Sequence, residues 1–178
     1  MKTNIIQLIY FKRGIISIMN LTKTENCQVC GFKLPKAKLN LGNHPLCDDL
    51  IPISSSQKSE EYLISIALCK NCLTCNQVYN IKKEKLFPQD YHYRPRFTLD
   101  VLNGMKELVD QASINFGDLK GKIVCDIGCN DGTLLNFFKE KDCITCGIEP
   151  TGAALEARKN HKNIINYFFN INTAKKII

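Results

Sequence analysis

Four cysteines in two pairs, Cys27-Gln-Val-Cys30 and Cys69-Lys-Asn-Cys72, offer the first chemistry in this sequence. Each pair is a knuckle in which two thiolates of one tight turn can reach a single ion. Two knuckles give four soft ligands, the usual set for a structural Zn2+ in tetrahedral coordination. A closed set of four has no open position for water, so it predicts a staple rather than zinc catalysis. Cys75 also lies three residues beyond Cys72, but Cys69 and Cys72 follow the strand-like run 65–69 directly and are preferred. Cys47 and His44 lie between the pairs, and His44, in the turn Gly-Asn-His-Pro-Leu, reads as a surface or capping residue. The alternative to zinc is that these are ordinary buried thiols.

The second feature is Ile123–Leu135, IVCDIGCNDGTLL. A β-branched apolar run meets Gly128, a short polar turn leads to Gly132, and the helix-like TLLNFFKE follows. Such a strand–turn–helix unit sets backbone N–H groups and a helix start against a ligand. A second strand-like run, 143–148, ends at Glu149, where an acidic residue can accept the hydroxyls of a ribose. A dinucleotide turn has a middle glycine that admits a pyrophosphate. Here that glycine is absent, and two carboxylates, Asp126 and Asp131, flank the turn. They would repel a pyrophosphate and suit a ligand with an ammonium group and no phosphate, such as S-adenosylmethionine. A nucleotide or NAD site and a turn with no ligand are the competing readings. Cys143 and Cys146 also have CxxC spacing, but positions three apart on a strand face opposite ways and cannot chelate one ion. Cys125 and Cys129 read as small buried hydrophobes.

The elements that must hold these groups follow from the pattern around them. Residues 23–85 read as a β-rich zinc-binding module, punctuated by Gly31, Pro35, Gly42, Pro45 and Pro52, with a loop at 54–61 and too little core to stand without a staple. The stretch 76–97 reads as an aromatic connector, and 86–117 joins connector to helix. Within it, Leu99, Leu102, Met105, Leu108, Val109 and Ala112 recur at helical spacing. Residues 118–178 continue as strand, helix, strand, helix at 153–159, strand at 164–167, and a helix start at 172–178. That order predicts an α/β chain in which the β-rich module precedes a partial Rossmann-like parallel sheet with right-handed crossovers. Residues 1–22 form a leader without a clear period. It contains Met19, so translation starting there is one reading and a native terminal segment the other.

Composition sets the outer limits. The chain has 178 residues, is 44% hydrophobic and 23% charged, and carries 24 Lys+Arg against 17 Asp+Glu. That balance is globular. The lysines are scattered and no basic stripe carries interleaved aromatics, so nucleic acid is not an expected partner. No run approaches the roughly 20 apolar residues that span a bilayer. The mostly apolar stretch 5–11 stops at Lys12 and Arg13 without a cleavage site. With ten cysteines and no secretion signal, the chain reads as cytoplasmic, where paired cysteines hold metal more often than they form disulfides. Oligomeric state is not legible.

The segment Asp126-Ile-Gly-Cys-Asn-Asp-Gly-Thr-Leu-Leu resembles the first motif of class I S-adenosylmethionine-dependent methyltransferases. Together with the four-cysteine module it resembles the zinc-containing sugar C-methyltransferases. The matching pieces run in order: CQVCG from Cys27, LNLGNHPL from Leu39, CKNC from Cys69, LFPQDYHY from Leu86, VCDIGCNDGTLL from Val124, GIEPT from Gly147 and YFFNINTAKKI from Tyr167. The resemblance implies Zn2+ at Cys27, Cys30, Cys69 and Cys72. It implies cofactor contacts at Gly128, Asn130, Asp131, Gly132 and Glu149, and places 90–93 near the active site, with Tyr91 or Tyr93 contributing to substrate or base chemistry. The implied substrate is a nucleotide-linked keto-deoxysugar, methylated at carbon through an enolate. This chain departs from the family at Arg94-Pro95-Arg96, where small residues are usual. Family members are longer, and the remaining strands, the substrate domain and the main general base are expected there. The expectation is weak or no turnover by these 178 residues alone. A zinc-stapled interaction module with a vestigial cofactor site and a nucleotide-dependent enzyme of another class are the alternatives.

Overall fold

The computed structural model describes residues 21–177. The reading of residues 1–20 as a leader, and the choice between Met1 and Met19, lie outside the described residues. The chain divides into two compact units, one reaching Leu86 and the other starting at Phe87.

The first unit is built from short antiparallel strands. β1 (Leu21–Lys23) pairs with β5 (Tyr79–Ile81), and β2 (Leu39–Pro45), β3 (Glu61–Leu68) and β4 (Cys75–Gln77) form a sheet in the order β2-β3-β4. β3 is the central strand, and Tyr62, Ser65 and Ala67 along it are buried. A register shift between Asn40 and Gly42 bends β2, where Gly42 takes a φ of 84° and its N–H is held by the Asn40 side chain. A short α1 (Lys83–Leu86) ends the unit. The stretch 76–97 is therefore not connector throughout, because residues up to Ile81 pair as β4 and β5. Among its described residues few apolar side chains are buried, and a core of that size needs a further constraint to be stable.

The second unit opens with an irregular segment containing a 3-10 turn (Pro95–Phe97), followed by α2 (Leu99–Phe116). Thr98, in an extended conformation, starts α2, and Gly117 with φ 71° ends it. Then come β6 (Ile123–Ile127), α3 (Thr133–Lys139), β7 (Ile144–Ile148), α4 (Ala154–Ala157), β8 (Asn163–Ile165) and α5 (Ile171–Ala174). The three strands are parallel, in the order β6-β7-β8. The unit is thus mixed α/β and compatible with part of a Rossmann-like fold. Val109 of α2, Leu119, Phe138 and Cys143 form one core cluster, and Cys129, Leu135, Ala154, Ala157 and Ile164 form another. Val124 packs against both.

Three expectations change here. Of the α2 stripe, Val109 is buried and Ala112 packs on the core, while Leu99 and Leu108 are exposed. Cys125 is exposed, not buried. It alternates with Val124 along β6 and shares an uncovered face with Ile123 and Ile127, 73% and 55% exposed. The helix expected over 153–159 shortens to Ala154–Ala157. Among the described residues, no helix is long and apolar enough to cross a membrane.

Candidate functional site

The two knuckles fold by one recipe. In the first, Gly31 N–H bonds the Cys27 carbonyl and Cys27 N–H bonds the Phe32 carbonyl. In the second, Leu73 N–H bonds the Cys69 carbonyl and Cys69 N–H bonds the Thr74 carbonyl. Each turn closes on a left-handed residue, Gly31 at φ 73° and Leu73 at φ 60°. Only the first is a glycine, so the second carries backbone strain. The four sulfurs of Cys27, Cys30, Cys69 and Cys72 all lie within 4.8 Å of one another. Cys27 to Cys72 and Cys30 to Cys69 are each 3.6 Å. That is far beyond a disulfide bond. It is close to the separation of about 3.8 Å that a tetrahedron with 2.3 Å Zn–S bonds requires.

The electrostatics of the cluster favour a cation. The Cys30 N–H, aided by Val29 N–H and the Asn76 and Cys72 side chains, outweighs burial and holds the Cys27 thiol down to about 6. The Asn71 side chain and the Phe32 N–H lower Cys30. At Cys69 the N–H of Cys72 favours the thiolate, but burial and the neighbouring Cys30 and Cys72 sulfurs prevail and push the thiol up to about 11. Backbone N–H groups thus invite negative charge that the crowded sulfurs cannot all carry without a positive ion between them. Cys75 and Cys47 are exposed and lie outside the four-sulfur cluster, and His44 bonds the Leu41 carbonyl at 2.7 Å.

Asn76 was not singled out by the sequence. It is 3% exposed and ties the two knuckles together. Its oxygen accepts from Gln28 N–H at 3.0 Å, and its amide donates to Cys27 Sγ at 3.5 Å and to the Thr74 carbonyl at 2.9 Å. Thr74 Oγ1 lies 3.2 Å from Cys72 Sγ. Their one signal in the sequence is that Leu-Thr-Cys-Asn follows Cys72 directly.

In the second unit the glycine turn hangs from the carboxyl ends of β6 and β7. Gly128 and Cys129 N–H both bond the Ile148 carbonyl, at 2.7 and 3.1 Å. Gly128, Asn130 and Gly132 take φ values of 85°, 49° and 81°. The two glycines differ in purpose. A Cβ on Gly128 would meet nothing within 4 Å, so the backbone there borders open space. A Cβ on Gly132 would meet His161 at 3.0 Å and Ala157 at 3.2 Å, so this glycine serves packing. His161, buried between Thr145 Oγ1 at 2.8 Å and Asn136 Oδ1 at 3.0 Å, is a second residue the sequence did not single out.

The acidic residues divide by partner. Both Glu149 oxygens accept backbone N–H groups, from Asn130 at 3.0 Å and Thr151 at 2.8 Å. Asp131 is also engaged: Oδ1 accepts from Thr133 N–H and Oγ, and Oδ2 accepts from Arg96 at 2.8 Å. Asp126 alone has no hydrogen-bond or ion-pair partner among the described residues. Burial, then the charge of Glu149, raises its pKa. Asn130 Oδ1 is a buried acceptor without a partner, while its amide nitrogen bonds the Tyr93 carbonyl at 3.1 Å. Near the open backbone of Gly128 the turn therefore holds one partly exposed carboxylate and one buried amide oxygen without partners among the described residues, a setting for a ligand rich in hydrogen-bond donors.

The segment before α2 lies across this end of the sheet. Gln89 bonds the Pro150 carbonyl and the Gly152 N–H, Tyr93 bonds Asn130, Arg94 pairs with Glu156, and Arg96 pairs with Asp131 and Glu156. Tyr91 packs edge-on against Phe87, with ring centroids 5.7 Å apart, whereas Tyr93 is 40% exposed.

No family model matches the chain. It is 24% identical over 127 residues to the C-methyltransferase NovU of Streptomyces niveus, a stretch that is 71% of this chain and 30% of that protein. The chain thus spans under a third of the length of that relative. A likeness of this level, in a chain that carries both a strand–turn–helix unit and a four-cysteine cluster compatible with zinc, supports a methyltransferase relationship.

Proposed function

We propose that this chain carries the cofactor-binding part of an S-adenosylmethionine-dependent C-methyltransferase. The acceptor is a nucleotide-linked keto-deoxysugar, and the setting is the cytoplasm. The observation that carries the reading is the pair of unsatisfied acceptors, Asp126 and Asn130 Oδ1, at the open Gly128 turn. S-adenosylmethionine offers the ammonium and hydroxyl donors these groups lack, and it supplies an electrophilic methyl when bound. Asp126 and Asn130 would hold its donor groups, Gly128 would admit it closely, and Glu149 would reach its ribose with the lone pairs left over from the backbone bonds. Gly132 and Asp131 would shape the turn. Cys27, Cys30, Cys69 and Cys72 would hold one Zn2+ as a staple, its coordination closed to water.

Carbon methylation needs a proton removed beside the sugar carbonyl, so that the resulting enolate carbon can accept the methyl. Position and a tuned base carry such a step. Of the two tyrosines, Tyr93 is the better candidate to meet the substrate. It is exposed and its backbone is tied to Asn130, whereas Tyr91 packs on Phe87.

Calorimetry of the zinc-loaded chain with S-adenosylmethionine, S-adenosylhomocysteine and NAD tests the reading. Binding of the first two and not the third is expected, and the reverse overturns it. Elemental analysis should return one zinc per chain. One observation favours a second reading, a zinc-stapled interaction module with a vestigial cofactor site: Glu149 and Asp131 are already engaged by protein groups. Silence with all three ligands would select it.

A further inference from the structure

We propose that Arg96 sets the ligand specificity of the Gly128–Gly132 turn by receiving the carboxylate of the ligand's α-amino-acid end. The inference rests on the S-adenosylmethionine reading above. It refines that end of the ligand, because the sequence alone sets both Asp126 and Asp131 against the ammonium, and Asp131 is already taken by Thr133 and Arg96.

Arg94-Pro95-Arg96 is held firmly. Pro95 is buried and starts the 3-10 turn. Arg94 donates through Nε to Glu156 Oε1 at 2.8 Å, and through Nη1 to the carbonyls of Tyr91 and Tyr93. Arg96 donates through Nη1 to both Asp131 Oδ2, at 2.8 Å, and Glu156 Oε2, at 2.5 Å. The two hydrogens of Nη1 are thus used. Nε and Nη2 carry three further N–H bonds with no hydrogen-bond partner among the described residues. The side chain is 42% exposed, and its guanidinium lies 4.7 Å over the Phe97 ring. The free Nε/Nη2 edge is the planar fork that matches a carboxylate through two parallel bonds.

Charge points the same way. Asp131 and Glu156 would repel an incoming carboxylate, but Arg94 and Arg96 balance them, leaving the group of four neutral. Removing Arg96 adds a net negative charge to the one that Asp126 and Glu149 already place at the turn. The complementary half of an α-amino acid is catered for at the residue before Asp131, the Arg96 partner, where the buried Asn130 Oδ1 lacks a donor among the described residues. An ammonium on Asn130 and a carboxylate on Arg96 together describe the methionine end of the cofactor.

The test compares S-adenosylhomocysteine with 5′-methylthioadenosine, which shares the adenosine and thioether but has no amino-acid end. Both are titrated calorimetrically into the full zinc-loaded chain and into Arg96→Gln and Arg96→Lys. Loss of a charge-assisted fork should weaken S-adenosylhomocysteine about tenfold or more in Arg96→Gln. The lysine variant should recover part of that loss, and 5′-methylthioadenosine should be unchanged within twofold. Unchanged binding of both ligands, or an equal loss of both, overturns the assignment; the second outcome makes Arg96 only a prop for the turn. Failure of the parent chain to bind either ligand overturns the cofactor reading itself, and the assignment with it. Retained 5′-methylthioadenosine binding also shows that each variant is folded.

Discussion

Replacing Asn76 by alanine should loosen the zinc staple without removing any ligand from it. Three hydrogen bonds are lost, to Gln28 N–H, Cys27 Sγ and the Thr74 carbonyl. Their costs are unequal. Gln28 is exposed, so water can replace the side chain at its N–H. The Thr74 carbonyl keeps its bond from Cys69 N–H. The contact to Cys27 is buried and cannot be replaced, and a sulfur that carries charge suffers most from losing a donor. Partners of this kind typically contribute 10–100-fold to metal affinity. With two of the three groups compensated, the loss should sit near the lower end, about tenfold, or roughly 1.4 kcal/mol. Asn76→Asp keeps the shape but sets a carboxylate against Cys27, so it should cost more than alanine. Competition for zinc against a chromophoric chelator at fixed pH measures both variants, and far-UV circular dichroism checks the fold. An affinity within twofold of the parent for Asn76→Asp would refute this account of how the knuckles are coupled.

Three further outcomes follow from the same geometry. Leu73→Gly should stabilise the zinc-loaded chain by about 0.5–1 kcal/mol in denaturant titration, because a left-handed leucine is strained while the added freedom of glycine when unfolded offsets part of the gain. Gly147→Ala should cost about 1–3 kcal/mol, since its Cβ would stand 2.5 Å from Cys129 Sγ and 2.8 Å from Ile164 Cδ1, and adding Cys129→Ala should recover part of the loss. Burial, then the charge of Lys139, holds the His161 pKa below its ordinary value against the opposing Gly132 backbone. The unfolded chain therefore binds that proton more readily, so the contribution is intact above about pH 6.5 and declines as pH falls below it. Melting of His161→Gln between pH 7 and 5 should show a flatter pH dependence than the parent, and equal slopes would exclude the role.

Local signals were legible in the sequence, and pairings over long range were not. The β-branched run before Gly128, the spacing of the α2 stripe and the two CxxC knuckles all announce themselves within a few residues, and β6, α2 and the four-sulfur cluster form where they point. Asn76 reaches Gln28 across 48 residues and Arg96 reaches Asp131 across 35, and no local pattern marks either. The two aspartates of the turn look alike as letters. What separates them is that Asp131 finds Thr133 and Arg96, whereas Asp126 finds no hydrogen-bond or ion-pair partner among the described residues. Cys125 was misjudged because a parallel strand is ordinarily covered on both faces. Its parity with Ile123 and Ile127 is plain in the sequence, but whether that face is covered depends on what packs there.

The strand order has a consequence for how a ligand would register. β7 is bonded on both sides, whereas β6, from which the Gly128 turn hangs, is bonded only to β7 among the described strands. Amides on a singly bonded strand exchange with solvent through small local openings, and those of a central strand exchange only when the unit opens as a whole. A molecule bridging Asp126 and Asn130 would close the small openings first. Deuterium uptake should therefore slow along 123–132 at ligand concentrations too low to move the melting temperature.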